Sequence, residues 1–186
     1  NVSKEFEVKN YVENIGASYD LSYKLSEQYQ ISGGYQFSKT NVYYLFQNKN
    51  NNTPINKLLS NENNTNRTNA IFSEIKYNND SNTFLSIGLR ANNYSAAKEW
   101  FFEPRLFAST KLTNNFTVKI AGEIKNQAVS QIIEYRNNDV GLENNVWAVA
   151  NEEIPILNSK QFSLGFLYQI DGWNFDIDIY KKKVKG

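Results

Sequence analysis

The chain contains no cysteine, no histidine and no methionine. Without cysteine there is no disulfide framework and no thiolate metal site. Without histidine there is no His-based triad and no imidazole ligand, which removes most hydrolase and zinc chemistry from this segment. Strong charge of either sign is also missing: the 186 residues carry a net charge of +1, so there is no electrostatic footprint for nucleic acid. No apolar run approaches the ~20 residues of a spanning helix. A transmembrane strand needs no such run, so a membrane is not excluded. The sequence opens at Asn1 and shows no signal-peptide pattern, which leads us to expect a piece processed or cut from something longer.

Aromatic residues, by contrast, make up 15% of the chain, with 12 Tyr and 12 Phe. Asparagine is plentiful, and tracts such as "NKNNNT" and "NENNTNRTN" read as polar loops. They contain N-x-S/T triplets, for example Asn66-Arg67-Thr68. Such triplets arise readily by chance in so Asn-rich a chain and do not by themselves mark glycosylation.

Apolar and polar residues alternate in eight segments, at about 10–25, 28–46, 69–78, 83–93, 102–112, 116–126, 161–169 and 173–181. Period two predicts strands with two unlike faces, and helical spacing fits none of these segments. Short turns fall at Ser26-Glu27, Asn79 to Asn82, Thr113 to Asn115 and Ile170 to Gly172. Long polar connections fall at 47–68, 94–101 and 127–160. The strict alternation of short and long connections predicts an antiparallel up-and-down sheet with its long loops at one end, the plan of outer-membrane barrels.

The faces support a membrane rather than a soluble core. In the first segment Ile15, Ala17, Tyr19, Leu21 and Tyr23 oppose Asn14, Gly16, Ser18, Asp20 and Ser22. In the second, Tyr29, Ile31, Gly33, Tyr35 and Phe37 oppose Gln30, Ser32, Gly34, Gln36 and Ser38. In the sixth, Phe116, Val118, Ile120, Gly122 and Ile124 oppose Thr117, Lys119, Ala121, Glu123 and Lys125. Each apolar set covers close to the ~9–11 residues that a tilted strand needs to cross a bilayer. Glu13 and Lys39 break the apolar set just beyond it, where the membrane would end. A one-residue slip would turn Lys119 to lipid, at about 2–4 kcal/mol near the midplane, so the register is well specified. Tyr23, Tyr29, Tyr77, Phe116, Tyr168 and Trp173 sit beside the short turns with apolar parity and predict an aromatic belt at the periplasmic interface.

In this reading the first strand starts outside the cell and the eighth ends there. Single-chain bacterial barrels keep both termini on the periplasmic side. The expectation is therefore at least one further strand at each end, making this a sector of a barrel of ten or more strands. Two unpaired edges would make the piece prone to aggregation if it stood alone.

The stretches "FFEPRLFASTKLTNNFTVKIAGE" and "IPILNSKQFSLGFLYQIDGWNFDIDIYKKKVKG" resemble the barrel of TonB-dependent outer-membrane receptors, and the Asn-rich style resembles that of their Bacteroidetes branch. The likeness covers roughly residues 10–186. It implies an all-β transmembrane barrel of 22 strands, of which this chain would be a sector of about eight. It further implies a plug domain, absent from this sequence, that couples the barrel to the TonB complex.

Candidate site residues divide between the barrel wall and the long connections. The polar face carries Asp20, Glu74, Lys76, Arg90, Arg105, Lys119, Glu123, Lys125, Asp176 and Asp178. Polar interiors are generic to large barrels, so these read first as a wall network. Binding more often sits on displayed loops. There, Trp100 before Phe101, and Tyr135, Arg136 and Trp147 in the 127–160 connection, are the residue types that anchor binding surfaces. Trp100 and Phe101 have a second reading as anchors of the outer interface. The tracts "NNDSN" and "RNNDVG" do not match an EF-hand loop, and Asn and Asp turn chemistry accounts for them. No cofactor, metal or catalytic residue is expected.

The leading expectation is an active-uptake receptor in the bacterial outer membrane for a scarce nutrient: a metal chelate, glycan or peptide. Its partners would be lipid, the TonB complex and, as a further candidate, a capping surface lipoprotein. A large barrel with a structural, secretion or surface-assembly role is the alternative, and an outer-membrane enzyme is weakened by the missing histidine.

Overall fold

A computed structural model of the chain describes residues 5–49, 57–79, 82–134 and 144–186. Ten strands follow one another: β1 (Glu5–Lys24), β2 (Tyr29–Lys49), β3 (Lys57–Asn79), β4 (Thr83–Tyr94), β5 (Glu99–Thr113), β6 (Phe116–Gln127), β7 (Val129–Glu134), β8 (Asn144–Val149), β9 (Leu157–Ile170) and β10 (Trp173–Lys185). Eight of them form one antiparallel sheet in the order β1-β2-β3-β4-β5-β6-β9-β10, and β7 and β8 pair separately as a hairpin. Among the described residues β1 and β10 each have one neighbour, so the sheet is unclosed.

The register keeps the two faces separate across every strand. Tyr19 lies opposite Tyr35, Tyr35 opposite Ile71, and Ile75 opposite Ile87. Ile87 then faces Leu106, Ala108 faces Ile120, Ile120 faces Leu164 and Leu164 faces Ile179. One continuous apolar surface results, and it is uncovered: Ile15, Tyr19, Leu21, Trp173, Ile177 and Ile179 all remain at least 60% exposed. A soluble sheet would bury such a face against a second layer. Here no large side chain among the described residues is fully buried, which is the arrangement of a face turned to lipid.

Four short connections share one end of the sheet. Asp171 and Gly172 both have positive φ, at 46° and 80°, matching the two left-handed positions of a tight hairpin turn. In the β1–β2 turn, Ser26 Oγ accepts from the backbone N–H of Tyr29 at 3.1 Å, while Lys24 pairs with Glu27 at 2.8 Å. The Lys24 ammonium, by its hydrogen bond and its charge, holds the exposed Glu27 carboxyl below its ordinary range.

The other end corrects the expected long loops. The 47–68 connection is shorter than its composition suggested, because β3 begins at Lys57 and its Asn-rich stretch pairs with β2: Asn66 lies opposite Thr40 and Asn64 opposite Val42. The 94–101 connection reduces to a turn at 95–98, closed by the Lys98 N–H donating to Tyr94 O at 2.9 Å. The 127–160 connection contains the β7–β8 hairpin and the start of β9. In each case backbone pairing continues beyond the apolar band. Polar side chains satisfy a ladder as well as apolar ones do, but leave no contrast between faces for periodicity to register.

The height of the band can be read from the register. Lys39 stands ten residues beyond Tyr29, the first residue of β2; Lys183 stands ten beyond Trp173, the first of β10; Lys160 stands ten before Ile170, the last of β9. At ~3.4 Å per residue and a tilt of ~45°, ten residues rise about 24 Å, close to the ~25 Å apolar band of outer-membrane barrels. On β2 and β9 charged side chains therefore reappear on the apolar face about ten residues from the short turn, and on β10 they begin two residues earlier, at Lys181.

Candidate functional site

The polar face carries linked side chains rather than isolated charges. Lys119 on β6 bridges to Asp176 at 2.6 Å and to Asp178 at 3.6 Å, both on β10. Glu74 accepts from Ser86 Oγ at 2.7 Å and pairs with Lys76 at 3.0 Å. Arg90 donates through Nη2 to Gln36 Oε1 at 2.7 Å and through Nε to Asn92 Oδ1 at 2.8 Å, with its guanidinium 5.9 Å from the Phe72 ring centroid. Glu123 pairs with Lys125 at 2.9 Å. Register places Asp20 and Arg105 on the same face, opposite Gly34 and Gly88 respectively. Such pairing is what a water-filled wall needs in order to hold charges without net cost.

The β7–β8 hairpin is anchored at its base and along β8. At the base, Ala128 and Ala150 close it with an N–H donated by Ala150 to Ala128 O at 2.7 Å. Both pack with Tyr94, Phe101 and Ile156 in the small core of the outer end. The Tyr94 hydroxyl donates to Asn126 O at 2.9 Å, and the Asn126 N–H donates to Glu103 Oε1 at 2.7 Å. At the far side, the Trp147 N–H donates to Asn10 Oδ1 at 2.8 Å, while Asn10 Nδ2 donates to Tyr43 O at 3.1 Å and to Trp147 O at 3.4 Å. Asn10 belongs to β1, so the hairpin leaves the sheet between β6 and β9 and crosses its polar face to the opposite edge.

Beneath the hairpin lies a cavity of about 330 Å³. Val42, Tyr44, Glu62 and Asn64 form its floor, and Trp147 and Glu153 are among the residues of its roof. Asn66, Asn92 and Glu103 are buried on this face. Asn66 donates to Thr68 Oγ1 at 2.9 Å and accepts from the Ala96 N–H at 3.3 Å. The residue of the one quoted glycosylation triplet is thus committed to packing. The arrangement supplies amide donors, carboxylate acceptors and an aromatic surface, which suits recognition. Among the described residues no group of three or more His, Cys, Asp or Glu is placed to hold a metal ion.

The candidate loop residues separate. Trp147 lies on β8, 36% exposed, at the cavity. Trp100 lies on β5, and its register with Asn93 puts it on the apolar face of the sheet, 51% exposed and away from the cavity. Phe101 faces the other way and packs on Tyr94 with ring centroids 5.4 Å apart. Tyr135 and Arg136 lie outside the described residues. Sequence reading missed Asn10, Asn66, Asn92 and Asn126, because asparagine was abundant enough to pass as loop filler. The available signal was the even spacing of Asn10, Asn64, Asn66 and Asn92 with the polar parity of their strands.

No protein-family model and no curated protein sequence matches the chain. Solved structures do, and the match is to TonB-dependent receptors. The ferric enterobactin receptor PfeA of Pseudomonas aeruginosa superposes with a TM-score of 0.67 at 16% identity, over 95% of this chain and 27% of that one. The ferric yersiniabactin uptake receptor FyuA of Yersinia pestis gives 0.64 at 12% identity, over 98% and 30%. The RagAB peptide importer gives 0.60 at 8% identity, over 97% and 24%. The chain therefore spans roughly a quarter of the length of these structures, and its fold is that of a sector of their barrels.

Proposed function

We propose that the chain is a sector of an outer-membrane receptor barrel that imports a scarce nutrient, with energy supplied through TonB and a plug domain outside these 186 residues. The observation that carries this reading is the eight-stranded up-and-down sheet, apolar on one whole face and ion-paired on the other, superposing on receptor barrels over nearly its entire length. A wall that only sealed a membrane would not need a hairpin laid across its inner face. The β7–β8 hairpin narrows the outer mouth and makes a polar and aromatic cavity there, where a ligand entering from outside would be captured. Chelates, glycans and peptides all offer the amide, hydroxyl or carboxylate groups that Asn64, Glu62 and Trp147 can meet.

The test is growth of the native organism with a ferric chelate, an oligopeptide or an oligosaccharide as the limiting nutrient. Deleting this protein should abolish growth on one of the three, and deleting TonB should reproduce that defect. Unchanged growth on all three, with the protein present in the outer membrane, would overturn the import reading in favour of a structural or assembly role.

A further inference from the structure

The cavity beneath the hairpin has a more specific chemistry than a polar mouth requires. Its volume of about 330 Å³ stands at the lower end of the ~300–1,000 Å³ of small-molecule sites, so it suits one side group rather than a whole chelate. Its inner surface is apolar: Val42 and Tyr44 of β2 and Val146 of β8 are all buried. Two carboxylates meet this surface from opposite sides, Glu62 of β3 in the floor and Glu153, from the segment after β8, in the roof. Both remain solvent-exposed.

The backbone holds Glu153 in place. Asn151 Oδ1 accepts from the N–H groups of Glu153 at 2.9 Å and Ile154 at 2.8 Å, and the Asn151 N–H donates to Ile154 O at 2.8 Å, which fixes the turn. On the floor, Asn64 Nδ2 donates to Glu62 Oε2 at 3.4 Å. Among the described residues no lysine or arginine lines the cavity. Lys39 and Arg67, on the same two strands as the floor, lie opposite each other on the outward face of the sheet. Two carboxylates alone would be an ordinary solvated surface. Over an apolar pocket walled by the Trp147 side chain, they select by charge.

We propose that this cavity takes an organic cation: a primary ammonium or guanidinium on an aliphatic stem, the stem against Val42, Tyr44 and Val146 and the head between Glu62 and Glu153. A long cationic side chain divides in this way, covering apolar surface with its methylenes and keeping its charge in water. Indole is the ring that attracts cations most strongly. An anionic chelate would meet like charge from two sides.

The inference rests on the import reading, whose substrate class it names, and one experiment separates the two. The full-length protein, purified from outer membranes in detergent, is titrated calorimetrically with capped Ala-Lys-Ala, Ala-norleucine-Ala and Ala-Glu-Ala tripeptides and with spermidine. The lysine peptide should bind at least about tenfold more tightly than the norleucine peptide, which has a similar stem without the charge. The glutamate peptide should not bind measurably. Glu153→Gln should weaken lysine-peptide binding about fivefold, and the Glu62→Gln, Glu153→Gln double variant about twentyfold, with the norleucine peptide unaffected. Should the double variant fail to fold, raising salt from about 0.05 to about 0.5 M should weaken the lysine peptide on the wild type and leave the norleucine peptide unchanged. Tighter binding of spermidine would assign the ammonium to a polyamine, and the reverse order to a peptide side chain; both support the proposal. Equal binding of the lysine and norleucine peptides, preference for the glutamate peptide, wild-type affinity in the double variant, or binding of none of the probes would overturn it. Binding as expected, in a protein whose deletion leaves uptake of labelled lysine peptide and spermidine unchanged, would instead sink the import reading alone.

Discussion

Lys119 on β6 reaches over Gly165 of β9 to Asp176 of β10, closing a 2.6 Å ion pair that spans three strands. The bare glycine is the condition for this, because a Cβ at Gly165 would collide with Asp178 Oδ1 and lie 2.8 Å from Lys119 Cε. Gly34 is a different case: a Cβ there would meet the backbone oxygen of Tyr19 and approach the Phe72 ring to 2.7 Å. Flexible side-chain ends can give way, whereas a paired backbone oxygen cannot. Gly165→Ala should cost about 0–1 kcal/mol, the worth of an exposed ion pair. Gly34→Ala should cost about 1–3 kcal/mol, as an overpacked site. Urea-dependent folding into lipid vesicles compares the two, and an equal loss would mean that the close approach at Gly34 is not constraining.

Face assignment can be tested at adjacent residues in mid-band. Ile120 is turned outward and Ala121 inward, as are their partners Leu164 and Ser163. Ile120→Arg should destabilise the barrel by about 2–4 kcal/mol in a bilayer. Ala121→Arg should fold within a fraction of that loss. The reverse order would exchange lipid and lumen.

The hairpin depends on one asparagine of β1 that holds β8. Asn10→Ala removes the acceptor for the Trp147 N–H and both amide donations. At ~1 kcal/mol per hydrogen bond, β8 should detach from β1 while the base at Ala128 and Ala150 holds. Protease added to intact cells should then cleave within 129–149 faster than in the wild type, with no change in the heat-dependent gel shift of the folded barrel. An unchanged cleavage rate would show that Asn10 does not hold the hairpin.

The β1–β2 turn lies outside the membrane and gives a pH prediction. Lys24 holds the Glu27 carboxyl below its ordinary range. A carboxyl depressed in the folded state stabilises above its unfolded pKa, and this contribution fades as pH falls through the folded value. Lys24→Ala should return Glu27 to a normal titration, seen by carboxyl NMR of the folded protein. It should also remove that part of the acid dependence of stability. A Glu27 titration indifferent to Lys24 would refute the pairing.

Much of the architecture was legible in the residues. The alternation of Phe116, Val118, Ile120 and Ile124 with Thr117, Lys119 and Lys125 specified two faces, and in mid-band the cross-strand partners respect them, with Phe166 opposite Val118 and Leu164 opposite Ile120. Asp171-Gly172 announced a tight turn, and both residues have the required positive φ. The strands were nonetheless drawn short at the outer end. From 60 to 68 the sequence is polar at both parities, yet it pairs residue by residue with β2.

By itself, then, the sequence determined the strands within the band, their faces, their turns and the height at which charge returns. These follow from local rules of period two and from the cost of putting charge in lipid. Tertiary structure alone decided that Val129–Glu134 and Asn144–Val149 pair across the polar face rather than standing out from it. It also decided that Asn10, 137 residues from Trp147, is where that hairpin is tied. Polar pairing between such distant residues has no periodic code. Its partners are chosen by how the sheet curves and which edges come within reach, and only the folded chain carries that information.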